Sequence, residues 1–166
     1  DHLGLALETN LIRSASTPSI YNAVKQAAND AAKDVKLTNR KAKLSISVQV
    51  EHAWGKLTGG SDEGIAKDLE DFPFVEELGL SSYPYLAFDT PKDIPQDYYS
   101  RLVAGKGFSV FVSEGGWSSK SVTTPVRSFV SSDQAQKEYI ERHEQLLISV
   151  HATALFQLVF TDIDLS

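Results

Sequence analysis

The stretch FSVFVSEGGW, residues 108–117, decides the fold assignment. Its first part, Phe108 to Ser113, is rich in β-branched and aromatic residues, which are enriched in strands. Glu114 follows this run directly, and two glycines and Trp117 come next. The segment therefore predicts a strand that ends in an acidic residue and a glycine-containing loop.

The same unit recurs along the chain as a β-rich run, a polar or glycine-containing loop and a helical stretch. Such alternation indicates parallel strands joined by helical crossovers. The helices are predicted over Pro18 to Val35, Glu63 to Leu69 and Pro95 to Ala104, and from a capping box at Ser131 and Gln134 through Val150. The predicted strands are Leu3 to Leu7, Leu44 to Val50, Glu77 to Ser82, Phe108 to Ser113 and Ala154 to Phe160.

Five strands in 166 residues predict an α/β fold, the later part of a parallel (β/α)8 barrel, which typically takes about 250 residues. We expect one domain over residues 1–166, with the earlier strands upstream of Asp1 and absent from this chain, because a strand begins almost at once and no methionine precedes it. An open five-stranded doubly wound sheet is the alternative that this length would complete. Its glycine-rich phosphate loops are missing from the sequence.

Composition excludes several classes of function. The net charge of −6 argues against a partner with a phosphate backbone, so we expect no nucleic acid. No run approaches the roughly 18 apolar residues of a membrane span, so we expect no membrane partner. The chain has no cysteine, and its 4 histidines lie in separate predicted elements. We therefore expect neither a metal site nor a cofactor.

Residues at the carboxyl ends of the strands are the candidates for chemistry, because reactive groups of a parallel barrel gather there. Glu8 and Glu114 each follow an apolar strand, and paired carboxylates are what glycoside hydrolysis requires. Either could instead be a solvent-facing loop acid. Sugars stack their C–H faces on aromatic rings and bind polar groups through their hydroxyls. Aromatic and polar side chains near the predicted strand ends are therefore candidates for sugar binding, and packing in the core or capping of a turn is the alternative role. These residues are Asn10, Gln49, His52, Trp54, Tyr83, Tyr85, Trp117 and Asp164.

Two runs carry a resemblance to a family: LGLSSYPY, residues 78–85, and VFVSEGGWS, residues 110–118. They resemble the sixth and seventh strands of clan A glycoside hydrolases, with the nearest likeness to arabinogalactan endo-β-1,4-galactanases. The resemblance implies a retaining (β/α)8 barrel in which this chain supplies strands four to eight. It also implies that Glu8 is the acid/base, Glu114 the nucleophile and Tyr83 a tyrosine beside the nucleophile. The clan usually has Asn immediately before the acid/base, whereas this chain has Leu7, which implies different contacts to the sugar 2-hydroxyl.

The sequence thus predicts a retaining glycoside hydrolase that acts on a β-linked polysaccharide or oligosaccharide. The upstream part of the same barrel or a second chain would be its protein partner, and the substrate class suggests a secreted or periplasmic location. Two alternatives remain at this point. One is a noncatalytic carbohydrate-binding protein derived from a barrel, and the other is an inactive barrel fragment.

Overall fold

The computed structural model describes residues 1–57, 59–60, 62–123 and 128–156. Four parallel strands alternate with helices in it, and a short antiparallel pair follows them. The strands are β1 (His2–Ala6), β2 (Lys43–Gln49), β3 (Glu77–Ser82), β4 (Ser109–Gly115), β5 (Val122–Thr123) and β6 (Ser128–Phe129). The helices are α1 (Thr9–Ala15), α2 (Pro18–Thr38), α3 (Val50–Ala53), α4 (Ala66–Asp71), α5 (Ser100–Val103) and α6 (Asp133–Ser149), with 3-10 turns at Pro84–Leu86 and Pro91–Asp93.

The order of the strands in the sheet distinguishes the two architectures that the sequence left open. The main sheet has the order β1-β2-β3-β4, and each neighbouring pair is parallel. A doubly wound sheet reverses its strand order at a switch point, and within the described residues this sheet has no reversal. Sequential parallel order is the arrangement of a (β/α)8 barrel, so the predicted fold class is confirmed and the doubly wound alternative is wrong.

The predicted fifth strand begins beside β4. Leu155 forms a parallel bridge to Val112. The backbone N–H of Val112 donates to Ala154 at 3.0 Å, and that of Phe156 donates to Val112 at 2.9 Å. Residues 157–160 of the predicted strand lie outside the described residues, but the pairing that is described extends the sheet in chain order.

The two faces of the sheet differ in character. The face toward the helices is apolar, and Leu44, Ile46, Val48, Leu78, Leu80, Val110 and Val112 are buried on it. Burying each such side chain contributes about 1.5–3 kcal/mol. On the opposite face the Phe111 ring and the small side chains of Ser47 and Ser113 surround Gly79, where an added Cβ would lie 3.0, 3.0 and 3.1 Å from them. This second face lines an open cavity of about 390 Å³, in the position of a barrel interior.

Several predicted helix boundaries differ from the structure. Helix α2 starts at Pro18, as predicted, with Thr17 as its cap, but continues beyond Val35 to Thr38. The cap of α6 is Ser132, whose hydroxyl accepts from the N–H of Ala135, so the prediction of Ser131 is wrong. Ser131 instead accepts a hydrogen bond from the Trp117 indole at 3.0 Å.

The helix predicted over residues 95–104 is helical only over Ser100–Val103, with turns at residues 96–99. The reason is packing, because Tyr98 and Tyr99 are fully buried and the Tyr98 carbonyl accepts from the indole of Trp54. The helix predicted over residues 63–69 forms later, at Ala66–Asp71. The short helices α1 and α3 were not predicted, because neither has a clear capping signal in its sequence.

Candidate active site

Glu8 lies at the carboxyl end of β1, in a backbone conformation that non-glycine residues rarely adopt. Its φ and ψ are 43° and 48°, in the left-handed region, immediately before α1. Such a conformation costs on the order of 1 kcal/mol and persists only where neighbours hold it. Here the Glu8 N–H donates to the Ser47 hydroxyl at 2.9 Å, and the Ser81 hydroxyl donates to Glu8 Oε1 at 2.7 Å. The carboxylate of Glu8 is thus directed toward the end of β3.

Glu114 owes its orientation to an irregularity in β4. Leu80 pairs with Val112, but the next residue, Ser81, pairs with Glu114. The extra residue in β4 is Ser113, and a bulge of this kind re-aims the side chains that follow it. Glu114 therefore lies inside the strand, not after it as predicted, and its side chain faces the end of β3. The Tyr83 phenol donates to Glu114 Oε2 at 2.9 Å.

The end of β3 connects the two acids. Ser81 is both the donor to Glu8 and the register partner of Glu114, and Tyr83 follows two residues later. Burial, the hydrogen bond to Glu114 and the negative charges of Glu114 and Glu8 raise the pKa of the Tyr83 phenol well above its ordinary value. Tyr83 thus remains a hydrogen-bond donor at neutral pH. Glu8 and Glu114 thus bond to two residues at the end of the same strand, Ser81 and Tyr83.

Glu51 is a third acid at this edge of the sheet, and the sequence did not identify it as a site residue. It lies in α3, directly after β2, and is fully buried. Burial raises the pKa of its carboxyl, and hydrogen bonds from Tyr83, Ser82 and Gln49 act in the opposite direction. The available signal was a carboxylate that directly follows the predicted strand Leu44 to Val50.

Asn10 and Gln49 fix the loops to the sheet. The Asn10 side-chain amide donates to the Gln49 carbonyl and accepts from the Gln49 N–H, each at 2.8 Å. The Gln49 side chain donates to Glu51 Oε2 at 2.6 Å and accepts from the N–H of His52. Both side chains are buried. Their hydrogen-bonding groups are engaged within the protein, beneath the predicted sugar-binding surface.

Both tryptophans of the chain have their ring faces against protein groups. Trp54 stacks on Tyr98 with ring centroids 5.9 Å apart, and the guanidinium of Arg101 lies 4.4 Å from its ring. Trp117 is 4% exposed and lies against Tyr139 at 5.6 Å. Packing, the alternative that the sequence left open for each, is what the structure shows for these two rings.

An aromatic wall lies next to Glu114 instead. It consists of Tyr83, Tyr85 and Phe129: Tyr85 stacks on Phe129 with centroids 4.8 Å apart and meets Tyr83 edge-on at 6.1 Å. Burial raises the pKa of the Tyr85 phenol. Phe129 comes from β6, and no sequence signal placed it here, because the antiparallel pair β5–β6 was not predicted.

The remaining predicted residues do not join this group. His52 is 1% exposed, and among the described residues neither of its ring nitrogens has a hydrogen-bond partner. Asp164 lies outside the described residues.

The part of the chain that the structure describes has no group of three or more His, Asp or Glu that could hold a metal ion. In the same residues no helix is long and apolar enough to cross a bilayer.

No protein-family model and no curated protein matches the chain. Solved structures match it in fold. An active-site mutant of the Rhizomucor miehei β-1,3-glucanosyltransferase, in complex with laminaritriose, has a TM-score of 0.56 and 18% identity over 89% of this chain and 49% of that chain. A β-glucuronidase from an uncultured Clostridium sp. has a TM-score of 0.55 and 13% identity over 86% of this chain and 24% of that one. A β-D-glucuronidase of Dictyoglomus thermophilum has a TM-score of 0.52 and 10% identity over 86% of this chain and 24% of that one.

Identities of 10–18% show a shared fold and no more. The fold is the one predicted, an α/β chain corresponding to part of a (β/α)8 barrel. The chain spans between 24% and 49% of the lengths of these three proteins.

Proposed function

We propose that this chain carries the two catalytic acids of a retaining glycoside hydrolase that acts on a β-linked glycan. The observation that carries the proposal is the arrangement around the end of β3. Ser81 donates to Glu8 on one side, and Tyr83 donates to Glu114 on the other. A retaining enzyme needs two carboxyl groups with different environments, about 5–5.5 Å apart on opposite sides of the scissile bond.

Glu114 is the nucleophile in this mechanism. The phenol of Tyr83 donates to one oxygen of its carboxylate and leaves the other free to attack. When Glu114 forms a bond to the anomeric carbon, the glycosidic C–O bond breaks and the proton of Glu8 passes to the leaving oxygen. The product of this step is a covalent glycosyl-enzyme and the released alcohol or sugar.

Glu8 acts as the base in the second step. It accepts a proton from water while the water oxygen attacks the anomeric carbon and displaces Glu114. The sugar leaves with its anomeric configuration retained, Glu8 is protonated again, and Glu114 is a free carboxylate. The Ser81 hydroxyl fits both steps, because it can remain bonded to Glu8 Oε1 while Oε2 exchanges the proton.

The substrate class follows from the surroundings of Glu114 and from the sequence. The aromatic wall of Tyr83, Tyr85 and Phe129 offers ring surface and a phenol hydroxyl beside the nucleophile. The likeness of residues 78–85 and 110–118 to endo-β-1,4-galactanases makes β-1,4-galactan the first substrate to test. The solved structures of similar fold, a β-1,3-glucanosyltransferase and β-glucuronidases, add β-1,3-glucan and β-glucuronides.

The rest of the barrel belongs to the proposal. The open face around Gly79 would be covered by the strands that this chain does not supply, from an upstream part of the same polypeptide or a second chain. A noncatalytic sugar-binding protein has less support, because two of the four aromatic residues predicted for its cleft, Trp54 and Trp117, do not line it. Both rings are covered by protein groups.

Covalent trapping tests the proposal on the full-length protein. A 2-deoxy-2-fluoro-β-glycoside with a good leaving group, in the gluco, galacto and glucuronic series, forms a glycosyl-enzyme that hydrolyses slowly. We expect the mass of one fluorosugar on the peptide that contains Glu114, and none in Glu114→Gln. Labelling of another acid, or hydrolysis of the natural substrate with inversion, would contradict the assignment.

A further inference from the structure

Glu51 has a carboxylate whose acceptor positions are all occupied by the protein. Its Oε1 accepts from the Ser82 hydroxyl at 2.9 Å and from the Tyr98 phenol at 3.3 Å. Its Oε2 accepts from the Gln49 side chain at 2.6 Å and from the backbone N–H of Tyr83 at 2.9 Å. The residue is 0% exposed. A group in this state is not available to a substrate, so any role in the reaction is exerted through its partners.

The partner that matters is Tyr83. Its backbone N–H is bound by Glu51, and its phenol is bound to Glu114. Tyr83 precedes Pro84, which restricts the backbone of the residue before it. The bond to the N–H on one side and Pro84 on the other thus restrict the backbone from which the Tyr83 side chain projects. Glu51 also joins the end of β2 to the end of β3, the strand between the two catalytic acids.

The hydrogen bonds to Glu51 act against the burial that raises the pKa of its carboxyl. The N–H of Tyr83 and the amide of Gln49 can only donate, and a carboxylate accepts from both. Hydrogen bonds to an ionised acceptor are roughly twice as strong as those between neutral groups. In its ionised form Glu51 therefore holds the Tyr83 backbone more tightly than a neutral acceptor would.

We propose that Glu51 is a positioning residue, which fixes Tyr83 so that its phenol orients the Glu114 carboxylate for attack. This inference rests on the proposed function for its effect on catalysis. The contact itself, from Glu51 through Tyr83 to Glu114, is independent of that function. The two can therefore be tested separately.

Glu51→Gln is the informative substitution, because it keeps the shape of the side chain. Its amide oxygen can still accept from Tyr83 and Gln49 if its NH₂ faces the Ser82 and Tyr98 hydroxyls, which can rotate to accept. The fold is then retained while the bond to the Tyr83 N–H loses its charge. The matched control is Asp71→Asn, the same change at a buried carboxyl that bonds Tyr21 among the outer helices.

Kinetics of the full-length protein form the first arm. We expect Glu51→Gln to lower kcat about tenfold with little change in KM, since misplacing a catalytic group by a fraction of an ångström has effects of this size. In a protein that already carries Tyr83→Phe, Glu51→Gln should lower kcat less than about twofold. Both substitutions interrupt the same set of contacts, from Glu51 through Tyr83 to Glu114. Asp71→Asn should leave kcat unchanged. Additive losses in the double variant, or a loss fully explained by a smaller folded fraction, would overturn the proposal.

NMR of the phenol carbons, with ¹³Cζ-labelled tyrosine, forms the second arm and does not require turnover. The signal of Tyr83, assigned through Tyr83→Phe, should shift in Glu114→Gln and in Glu51→Gln but not in Asp71→Asn. An unchanged signal in Glu51→Gln would refute the positioning role. If the signal responds as expected but the wild type cleaves none of the β-glycans, the proposed function fails while the positioning stands.

Discussion

Tyr83 donates its phenol hydrogen to Glu114 Oε2 across 2.9 Å, from the residue that directly follows β3 to the penultimate residue of β4. The contact joins two residues 31 positions apart and depends on the bulge at Ser113. In a regular register, with Ser113 paired to Ser81, the side-chain alternation would place Glu114 on the opposite face of the sheet. The candidate nucleophile is thus oriented by a local irregularity and a single phenol.

Tyr83→Phe tests this contact in the reaction. A hydrogen bond to a charged group contributes about 1.5–3 kcal/mol, so under the proposed function we expect kcat of the full-length protein to fall about 10- to 100-fold. Tyr21→Phe is the control, because the Tyr21 phenol also donates to a carboxylate, that of Asp71, at 2.8 Å, but between helices outside the sheet. Equal activity of the two variants would show that the Tyr83 phenol has no part in the reaction.

The two acids should respond differently to the leaving group. We expect Glu8→Gln and Glu114→Gln each to lower kcat on a polysaccharide by at least about a hundredfold. On an aryl glycoside with an activated leaving group, Glu8→Gln should show a fast burst followed by slow turnover, because departure then needs no proton. Stopped-flow absorbance measures the burst, and Glu138→Gln, on α6, where Glu138 forms an ion pair with Lys92, should behave as wild type. A burst in Glu114→Gln would reverse the two assignments.

Gly115 should tolerate no side chain. It pairs with Ser82 in the sheet, and a Cβ added at Gly115 would lie 2.4 Å from the Ser82 carbonyl oxygen. That atom belongs to the backbone and cannot move without disturbing β3. We expect Gly115→Ala to lower the free energy of unfolding by about 2–3 kcal/mol.

Gly116→Ala is the control for this substitution, because nothing lies within 4 Å of a Cβ there. Its effect should stay within about 0.5 kcal/mol. Urea denaturation of the two variants beside wild type gives the comparison. Similar stabilities for both would mean that the sheet can relax around the Gly115 methyl group.

His143 should make the protein sensitive to acid. It is buried beneath Tyr139 and Tyr99, and burial lowers its pKa from 6.5 to about 4. Because the unfolded chain then binds the proton more tightly than the folded chain, stability present above pH 6.5 is lost as the pH falls toward 4. The loss should reach roughly 3 kcal/mol.

The measurement is the free energy of unfolding at intervals between pH 7 and pH 4. His143→Gln should remove most of the decline in this range, whereas His151→Asn, at an exposed histidine, should keep it. A decline of the same size in His143→Gln would assign the acid sensitivity to other groups.

The sequence was sufficient for features that depend on local pattern. The strand positions followed from short, largely apolar runs between polar or glycine-containing loops, and each of β1 to β4 lies within two residues of its predicted bounds. The helix α2 was recognisable because Thr17, Pro18 and an apolar stripe all act within one helix. Glu8 and Glu114 were found for the same reason, since each stands at the end of a recognisable strand.

The sequence was less informative about the side chains around these acids. Trp54 and Trp117 stand beside glycines, which is compatible with an exposed loop, but long-range contacts with Tyr98, Arg101 and Tyr139 cover their rings. Glu51 was overlooked because its four donors come from segments up to 47 residues away. No periodicity within one segment reports on such partners.

The sequence alone therefore determined that two parallel strands end at Glu8 and Glu114. Hydrophobic periodicity and turn chemistry act over a few neighbouring residues and can be recognised without the fold. Only the tertiary structure decided that Glu8 and Glu114 meet Ser81 and Tyr83 at one strand end, and that Glu51 holds Tyr83 from below. Those contacts depend on strand register, on the bulge in β4 and on side-chain packing between distant segments. Each of these is set by the whole folded sheet, in which a shift of one residue moves a side chain to the other face.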